Sequence, residues 1–505
     1  MKRSPTRDEL GSTRTKILYG LGSVAYGVKD QGFTTLLLFY YDRVIGLSPF
    51  TVSLALFIVL FFDAFIDPIV GQISDGLRSP LGRRHPLMYA AAIPVAISYY
   101  FLFTPPHWSN GALFGYLVGV AILVRIFISF YEIPSSALAP EMTENYDQRT
   151  SFLAFRYFFG SAGGVAMAFV TYRFILRPDT THAVGQLNPH GYPIYAAVAA
   201  AVMIASIVAS TLGTQRFVPL FRAPPAERPS LGQTLRQMAA SLTHGPFLIL
   251  IVAAIFGTTA IGLSAALLLY FNTYFWGLTA SQLSIFALTG IFAAVLGPLL
   301  AGPISRRIEK RRAVIVFYAC FLLISPLPIA LRLIGFFPAN GSPYLFPILF
   351  LERSTSAVLG IATLVLYASM IADVVEDSAV RTGRRSEGLF FAGISFISKL
   401  LQGAGIVLAG IFASGLGHRS GSSGHVDPAA VRHLALLYLP ALVVLYGTGM
   451  LVLSRYRITR AQHEDNLRRL AETSSTDAGK PAAESAAVEG EVEAIAARAG
   501  SPPVP

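Results

Sequence analysis

Cysteine is almost missing from these 505 residues: Cys320 stands alone, which excludes an intrachain disulfide and any metal site built on thiolates. Tryptophan is nearly as scarce, with only Trp108 and Trp276. Charge is thin as well. Asp, Glu, Lys and Arg together make up 13% of the chain, against about 25% in a typical soluble domain. The deficit is filled by a hydrophobic fraction of 53% and a mean hydropathy of +0.57. These values describe a polytopic membrane protein.

A bilayer core about 30 Å thick needs about 20 apolar residues at 1.5 Å each, and runs of that length recur. Twelve spans are predicted, near residues 17–42, 49–74, 87–105, 111–138, 152–177, 193–215, 245–273, 281–304, 313–335, 344–373, 388–415 and 434–454. Backbone groups must be satisfied inside lipid, and runs this long and apolar do so as helices. The polar opening MKRSPTRDELGSTRT leads straight into a full-length span, so the first helix is expected to stay in place rather than serve as a cleaved signal.

Basic residues favour cytoplasmic loops. Lys2, Arg3, Arg7, Arg14 and Lys16 precede the first span, Arg78, Arg83 and Arg84 follow the second, and Arg306, Arg307, Lys310, Arg311 and Arg312 follow the eighth. Both termini are therefore expected in the cytoplasm, in a plasma or bacterial inner membrane. The opposite loops DTTHAVGQLNPHGYP and FPANGSP carry no Lys or Arg, and both tryptophans fall at the outer helix ends. The net charge of +11 then records topology and attraction to anionic lipid rather than nucleic-acid binding.

Composition divides the chain into an N-terminal bundle (1–216), a Pro-containing central connection (217–244), a C-terminal bundle (245–455) and a tail (456–505) that reads as largely disordered, having no aromatic residue beyond about 462. An internal repeat supports two bundles of six. LLLFYYDRVIGLS (36–48) aligns with LLLYFNTYFWGLT (267–279), and the same offset of 231 residues brings VGQIS (70–74) onto AGPIS (301–305). Repeats in the same order and orientation point to halves related by an axis along the membrane normal, with a cavity between them near the midplane.

Into this apolar frame FFDAFIDP (61–68) places two acids. Asp63 and Asp67, four residues apart, share a helical face. At the repeat offset they become Ala294 and Pro298, and Asp30 becomes Ile261, so the scaffold does not require carboxylates there. Two carboxylates roughly 6 Å apart in low dielectric cannot both ionise cheaply; a cation, a proton or a nearby arginine must compensate. A buried ion pair that merely joins helices is the structural alternative. Other midspan charges are Lys29, Asp30, Arg125, Glu132 and Arg156, with Lys399 as the deep cation of the second half; Ser129 shares the face of Glu132.

GVKDQGF, DAFIDP, YEIPSSALAPEMT and IADVVEDSAVRTGRRSEGLFFAGISFISK together resemble motifs of the glycoside–pentoside–hexuronide:cation symporter family, which includes the melibiose permease, within the major facilitator superfamily. The resemblance implies an all-α fold of twelve transmembrane helices in two parallel six-helix repeats. It implies Asp63, Asp67 and Ser129 as the cation site, with sodium possible at the two aspartates, and Lys29, Asp30, Glu132 and Arg156 facing substrate with Lys399 between the two regions. GQISDGLRSPLGRRHP is similar to the superfamily's gating loop, in which Asp75, Arg83 and Arg84 would hold the cytoplasmic side shut. Ile66 stands where asparagine is common in the family, Ser136 where an aromatic residue is expected and Leu364 where the permease carries tryptophan; a galactoside-stacking platform is absent.

The resulting expectation is a secondary active transporter, not an enzyme, that takes up a polar organic solute, a sugar or glycoside, together with a proton or sodium by alternating access, with membrane lipid as its solvent and no bound cofactor. Proton coupling is expected, with sodium as the family-based alternative, because a carboxylate pair beside a hydroxyl and without asparagine suits a proton, and burial and mutual repulsion should raise the affinity of one aspartate for it. A cation-dependent lysophospholipid transporter is the alternative within transport. An intramembrane aspartyl protease would carry its two acids on different helices, a membrane glycosyltransferase would need a sizeable extramembrane loop, and a non-transporting receptor is the remaining class.

Overall fold

The computed structural model describes residues 6–143, 145–221, 245–382, 387–417 and 426–469. Most of the central connection, residues 383–386 of the Lys399 motif and the tail beyond 469 lie outside them. Among the described residues the chain is helical, without a strand. Eleven helices are long and apolar enough to cross a bilayer: Pro49–Gly76, His85–Leu102, Asn110–Met142, Asp147–Ile175, Gly191–Gln215, Gly245–Phe275, Ala280–Arg307, Lys310–Leu333, Leu345–Val380, Ser395–Ser414 and Pro428–Leu453. The first expected span is present in pieces, Thr13–Leu21 and Ser23–Gln31 followed by π-helical turns at Gly32–Leu36 and Tyr40–Ile45. Its glycines allow backbone contact: a Cβ on Gly27 would stand 1.9 Å from the Gly160 carbonyl oxygen.

Packing sorts these helices into two bundles. In the N-terminal half Thr13–Gln31 lies against Tyr146–Val170 and Gly191–Gln215, and His85–Leu102 against Asn110–Met142. In the other half Gly245–Tyr270 packs on Glu387–Ser414 and Pro428–Leu453, and Thr289–Arg307 on Leu345–Thr382. The halves meet mainly where Pro49–Gly76 crosses Glu387–Ser414.

The repeat seen in sequence is also a repeat of backbone geometry. π-helical turns end both copies of the motif, at Tyr40–Ile45 and Phe271–Phe275. Gly46 and Gly277 then take positive φ, 93° and 62°, a region open to glycine at little cost. Ser48 and Thr279 cap the helices that follow, accepting from the Thr51 and Gln282 amides. The rings of Phe39 and Tyr270, equivalent by the repeat offset, meet edge to face with centroids 5.2 Å apart. Equivalent residues touch only beside a symmetry axis, so the pseudo-two-fold passes here.

Two expectations need adjustment. Trp108 is exposed at a helix end, but Trp276 is only 5% exposed and packs on Phe275 and Phe337, so only one indole is placed to face an interface. The first part of the tail is ordered: residues 460–469 are helical, and Arg460 donates to the carbonyls of Ser305 and Arg306.

Candidate functional site in the cavity between the halves

Asp63 and Asp67 face inward from the Pro49–Gly76 helix, with Asp63 2% exposed. Pro68 follows directly and, lacking an N–H, leaves the Ala64 carbonyl without its helical donor. The carboxylates are not left to repel one another. Lys399, reaching across from the Glu387–Ser414 helix, sets its Nζ 2.9 Å from Asp63 Oδ2 and also donates to Asp67. Arg125 Nη1 lies 3.3 Å from Asp63 Oδ2, and the Ser129 hydroxyl donates to Asp67 Oδ1 at 2.7 Å. Two protein cations thus balance two acids, and the repulsion between the carboxylates is offset by their neighbours.

Further charges surround this core. Arg125 lies over the Phe33 ring at 4.5 Å and buried Lys29 over the Tyr26 ring at 4.3 Å. Lys29 Nζ is 3.8 Å from Asp30 Oδ1. Arg156 lies 3.7 Å from Glu132 Oε1 and donates to the Ser135 hydroxyl at 3.0 Å and the Glu132 carbonyl. Four cations (Lys29, Arg125, Arg156, Lys399) thus face four carboxylates (Asp30, Asp63, Asp67, Glu132). A neutral cluster is what burial in low dielectric demands.

Beside it opens a cavity of about 530 Å³, counting space continuous with solvent, lined by Tyr26, Asp30, Phe33, Arg125, Lys399 and Gln402 among others. The Asp30 side chain is 47% exposed and so free to meet a solute. Lys29, Glu132 and Arg156 are not among its lining residues, and the Glu132 side chain keeps 29% exposure. Ser136 donates to the Ile133 carbonyl and Leu364 is exposed, so neither supplies an aromatic face.

At the end of the molecule that carries the basic loops, Arg84 Nη2 lies 2.5 Å from Asp75 Oδ1, while Arg84 Nε and Arg83 Nη2 both reach Glu141 Oε1, at 2.8 and 2.6 Å. Asp75, Arg83 and Arg84 are thus brought together, around an acid that the sequence reading quoted in YEIPSSALAPEMT without assigning. The C-terminal half has a counterpart. Lys310 Nζ bonds both Asp373 oxygens, at 2.6 and 2.9 Å, and His463 from the tail helix lies 2.7 Å from Glu376 Oε2.

At the opposite end the halves are tied. Tyr270 donates to Asp42 Oδ2 at 2.7 Å, Asp42 pairs with Arg43 at 2.8 Å, and Arg43 Nη1 donates to the Gly417 carbonyl at 3.1 Å. Gln186 Nε2 donates to the Leu278 carbonyl. Asp42 and Arg43 stand in plain view in YYDRV, yet sequence reasoning used that stretch only to establish the repeat.

Comparison with known proteins bears on the family and the fold. Residues 18–460 match the family described as MFS/sugar transport protein. The provisionally named glycoside/cation symporter YagG of Escherichia coli is 25% identical, over 90% of this chain and 94% of its own. The sphingosine-1-phosphate transporter MFSD2B of Mus musculus is 25% identical over 89% of this chain and 90% of its own. Among solved structures, the nucleoside transporter NupG superposes with a TM-score of 0.58 at 14% identity, covering 88% of this chain and 100% of that one, a likeness of fold.

Proposed function

The chain belongs to the MFS/sugar transport protein family, and from that premise we propose that it is a cation-coupled symporter of a small polar solute, a sugar or glycoside, working by alternating access. It is an integral multi-pass membrane protein. One observation carries the mechanism: Lys399, from the C-terminal half, sits on the acid pair of the N-terminal half.

A cation that enters between Asp63 and Asp67 must compete with Lys399, because Lys399 and Arg125 already balance the two carboxylates and a third positive charge in low dielectric would go uncompensated. Displacement frees the ammonium toward the cavity it already lines and loosens a tie between the halves. Solute binding at Asp30 and cation binding at Asp63 and Asp67 are then linked, each raising affinity for the other. Lys29, Glu132 and Arg156 hold that wall in charge balance. The ties at Asp42, Arg43 and Tyr270 close the outer face in the orientation implied by the basic loops, with both termini cytoplasmic, and Asp75, Arg83 and Arg84 brace the inner end of the N-terminal half against Glu141.

The coupling ion is proposed to be a proton. Near the pair stand two carboxylates and the Ser129 hydroxyl, with Ile66 offering no amide oxygen; a proton needs one oxygen, whereas sodium needs a shell of them. The deciding experiment imposes proton and sodium gradients separately on proteoliposomes and follows accumulation of a panel of sugars and glycosides. Uptake driven by an inward proton gradient without sodium supports the proposal, and uptake that requires sodium and moves no protons overturns it. The mouse relative gives lysophospholipid transport as a second reading. It would prevail if only single-chain lipids are moved.

A further inference from the structure

A second pocket lies wholly within the C-terminal half and shares no lining residue with the cavity at Asp30. It offers about 560 Å³, counting space continuous with solvent. Its walls come from the Gly245–Tyr270 helix and the turn after it, the Leu345–Thr382 helix and the Pro428–Leu453 helix. Two charged residues, Glu352 and Arg353, line it from the Leu345–Val380 span, and ionisable groups inside such a span are functional by default.

Asn272 is 8% exposed and lines the pocket, and among the described residues its side-chain amide makes no hydrogen bond. Arg353 likewise has no ion pair there. Glu352 accepts from the Ser356 hydroxyl at 2.8 Å, which leaves most of its lone pairs open. Glu352 and Arg353 are only partly buried and line the pocket together with the Asn272 amide, so the pocket presents both donors and acceptors to a ligand. Trp276, Phe286 and Tyr438 add aromatic faces.

We propose that this pocket binds a neutral polyhydroxylated solute, its hydroxyls donating to Glu352 and accepting from Asn272 and Arg353 while an apolar sugar face rests on the aromatic wall. Neutrality follows from the pocket's own balance of one carboxylate against one guanidinium. The site holds whether or not the central cavity carries the same solute.

Trp276 reports on it directly. Trp108→Phe, at an exposed helix end remote from the pocket lining, leaves Trp276 as the sole tryptophan. The full-length purified variant is titrated with D-glucose, D-xylose and methyl β-D-galactopyranoside while Trp276 emission is followed. A saturable change with at least one of these is expected, weakened about tenfold or more by Asn272→Ala or Arg353→Met, as loss of a buried bond predicts, and unchanged by Glu132→Gln in the other half. If Asn272→Ala does not elute as folded protein, Asn272→Ser takes its place. No saturable change with any of the three sugars overturns the proposal, as does a change abolished by Glu132→Gln but kept by Asn272→Ala. Failure of cation-driven uptake would leave the Trp276 response standing, so the two readings fail separately.

Discussion

The two halves share a backbone plan, yet they treat charge in opposite ways. Turns, caps and positive-φ glycines repeat at the offset of 231 residues, but Asp63 is buried at 2% exposure while its equivalent Ala294 is exposed. The reason lies in the partner helix. Pro49–Gly76 crosses Glu387–Ser414 of the other half closely, which lets Lys399 reach the acids; the repeat counterpart, Ala280–Arg307, meets Tyr146–Val170 of the other half only lightly and packs mainly on Leu345–Thr382 of its own. The fold therefore supplies two similar walls, and function is written on one of them, with a single cation sent over from the other.

The most severe way to break this asymmetry is to remove that cation. Lys399→Met leaves Asp63 and Asp67 with Arg125 alone, and stripping one partner from a buried pair costs about 3–5 kcal/mol. A marked drop in thermal stability and complete loss of uphill accumulation are expected. Adding Asp67→Asn to that variant restores charge balance, so stability should recover while coupling does not. Recovery of coupling in the double variant would show that Lys399 serves only packing.

Next in size are the acids themselves. Asp63→Asn and Asp67→Asn each mimic the protonated form at one position, so solute exchange across proteoliposomes should survive while accumulation against a gradient fails. Ala294→Ser, at the equivalent of Asp63, should change neither. Uphill accumulation by both asparagine variants would remove the pair from the coupling mechanism.

On the solute side, Asp30→Asn and Glu132→Gln sharpen the contrast between a residue that lines the cavity and one outside its lining. Loss of a charge-assisted bond costs about 1.5–3 kcal/mol, so Asp30→Asn should weaken solute binding about 10- to 100-fold and leave cation-dependent stabilisation intact. Glu132→Gln should act less on affinity and more on stability, since it strands Arg156. Calorimetric titration and thermal unfolding of both variants separate the two roles; equal affinity loss with equal stability would merge them.

The sequence made much of this visible because membrane helices advertise themselves by length and apolarity. Ten of the eleven long helices begin within six residues of the expected span, and the eleventh, placed at 388–415, is described as a transmembrane helix from Ser395. Charges inside such runs, Asp63, Asp67 and Lys399 among them, stand out for the same reason. What pattern alone could not give was pairing across hundreds of residues. Lys399 on Asp63, Arg83 on Glu141 and Tyr270 on Asp42 are consequences of how bundles dock, and no local period encodes them. Glu352 and Arg353 were as visible as Lys399 but belonged to no recognised motif.

The finest probe of the comparison is the point where the halves touch beside their axis. Tyr270 has Phe39 as its repeat equivalent, and the two rings meet edge to face, but only Tyr270 carries a hydroxyl, which donates to Asp42. Tyr270→Phe makes the pair chemically symmetric while keeping the ring contact. Asp42 retains Arg43 at 2.8 Å, so the loss is a single bond, about 1 kcal/mol, or about a fivefold shift in the balance between conformations closed and open at this end. With Cys320 replaced by alanine and one cysteine introduced at Ser264, in the span leading to this contact, the labelling rate by an impermeant thiol reagent added outside reports that balance. A faster rate in Tyr270→Phe is expected, with solute affinity nearly unchanged. An unchanged rate would mean that Arg43 on the Gly417 carbonyl holds this end closed without help from Tyr270.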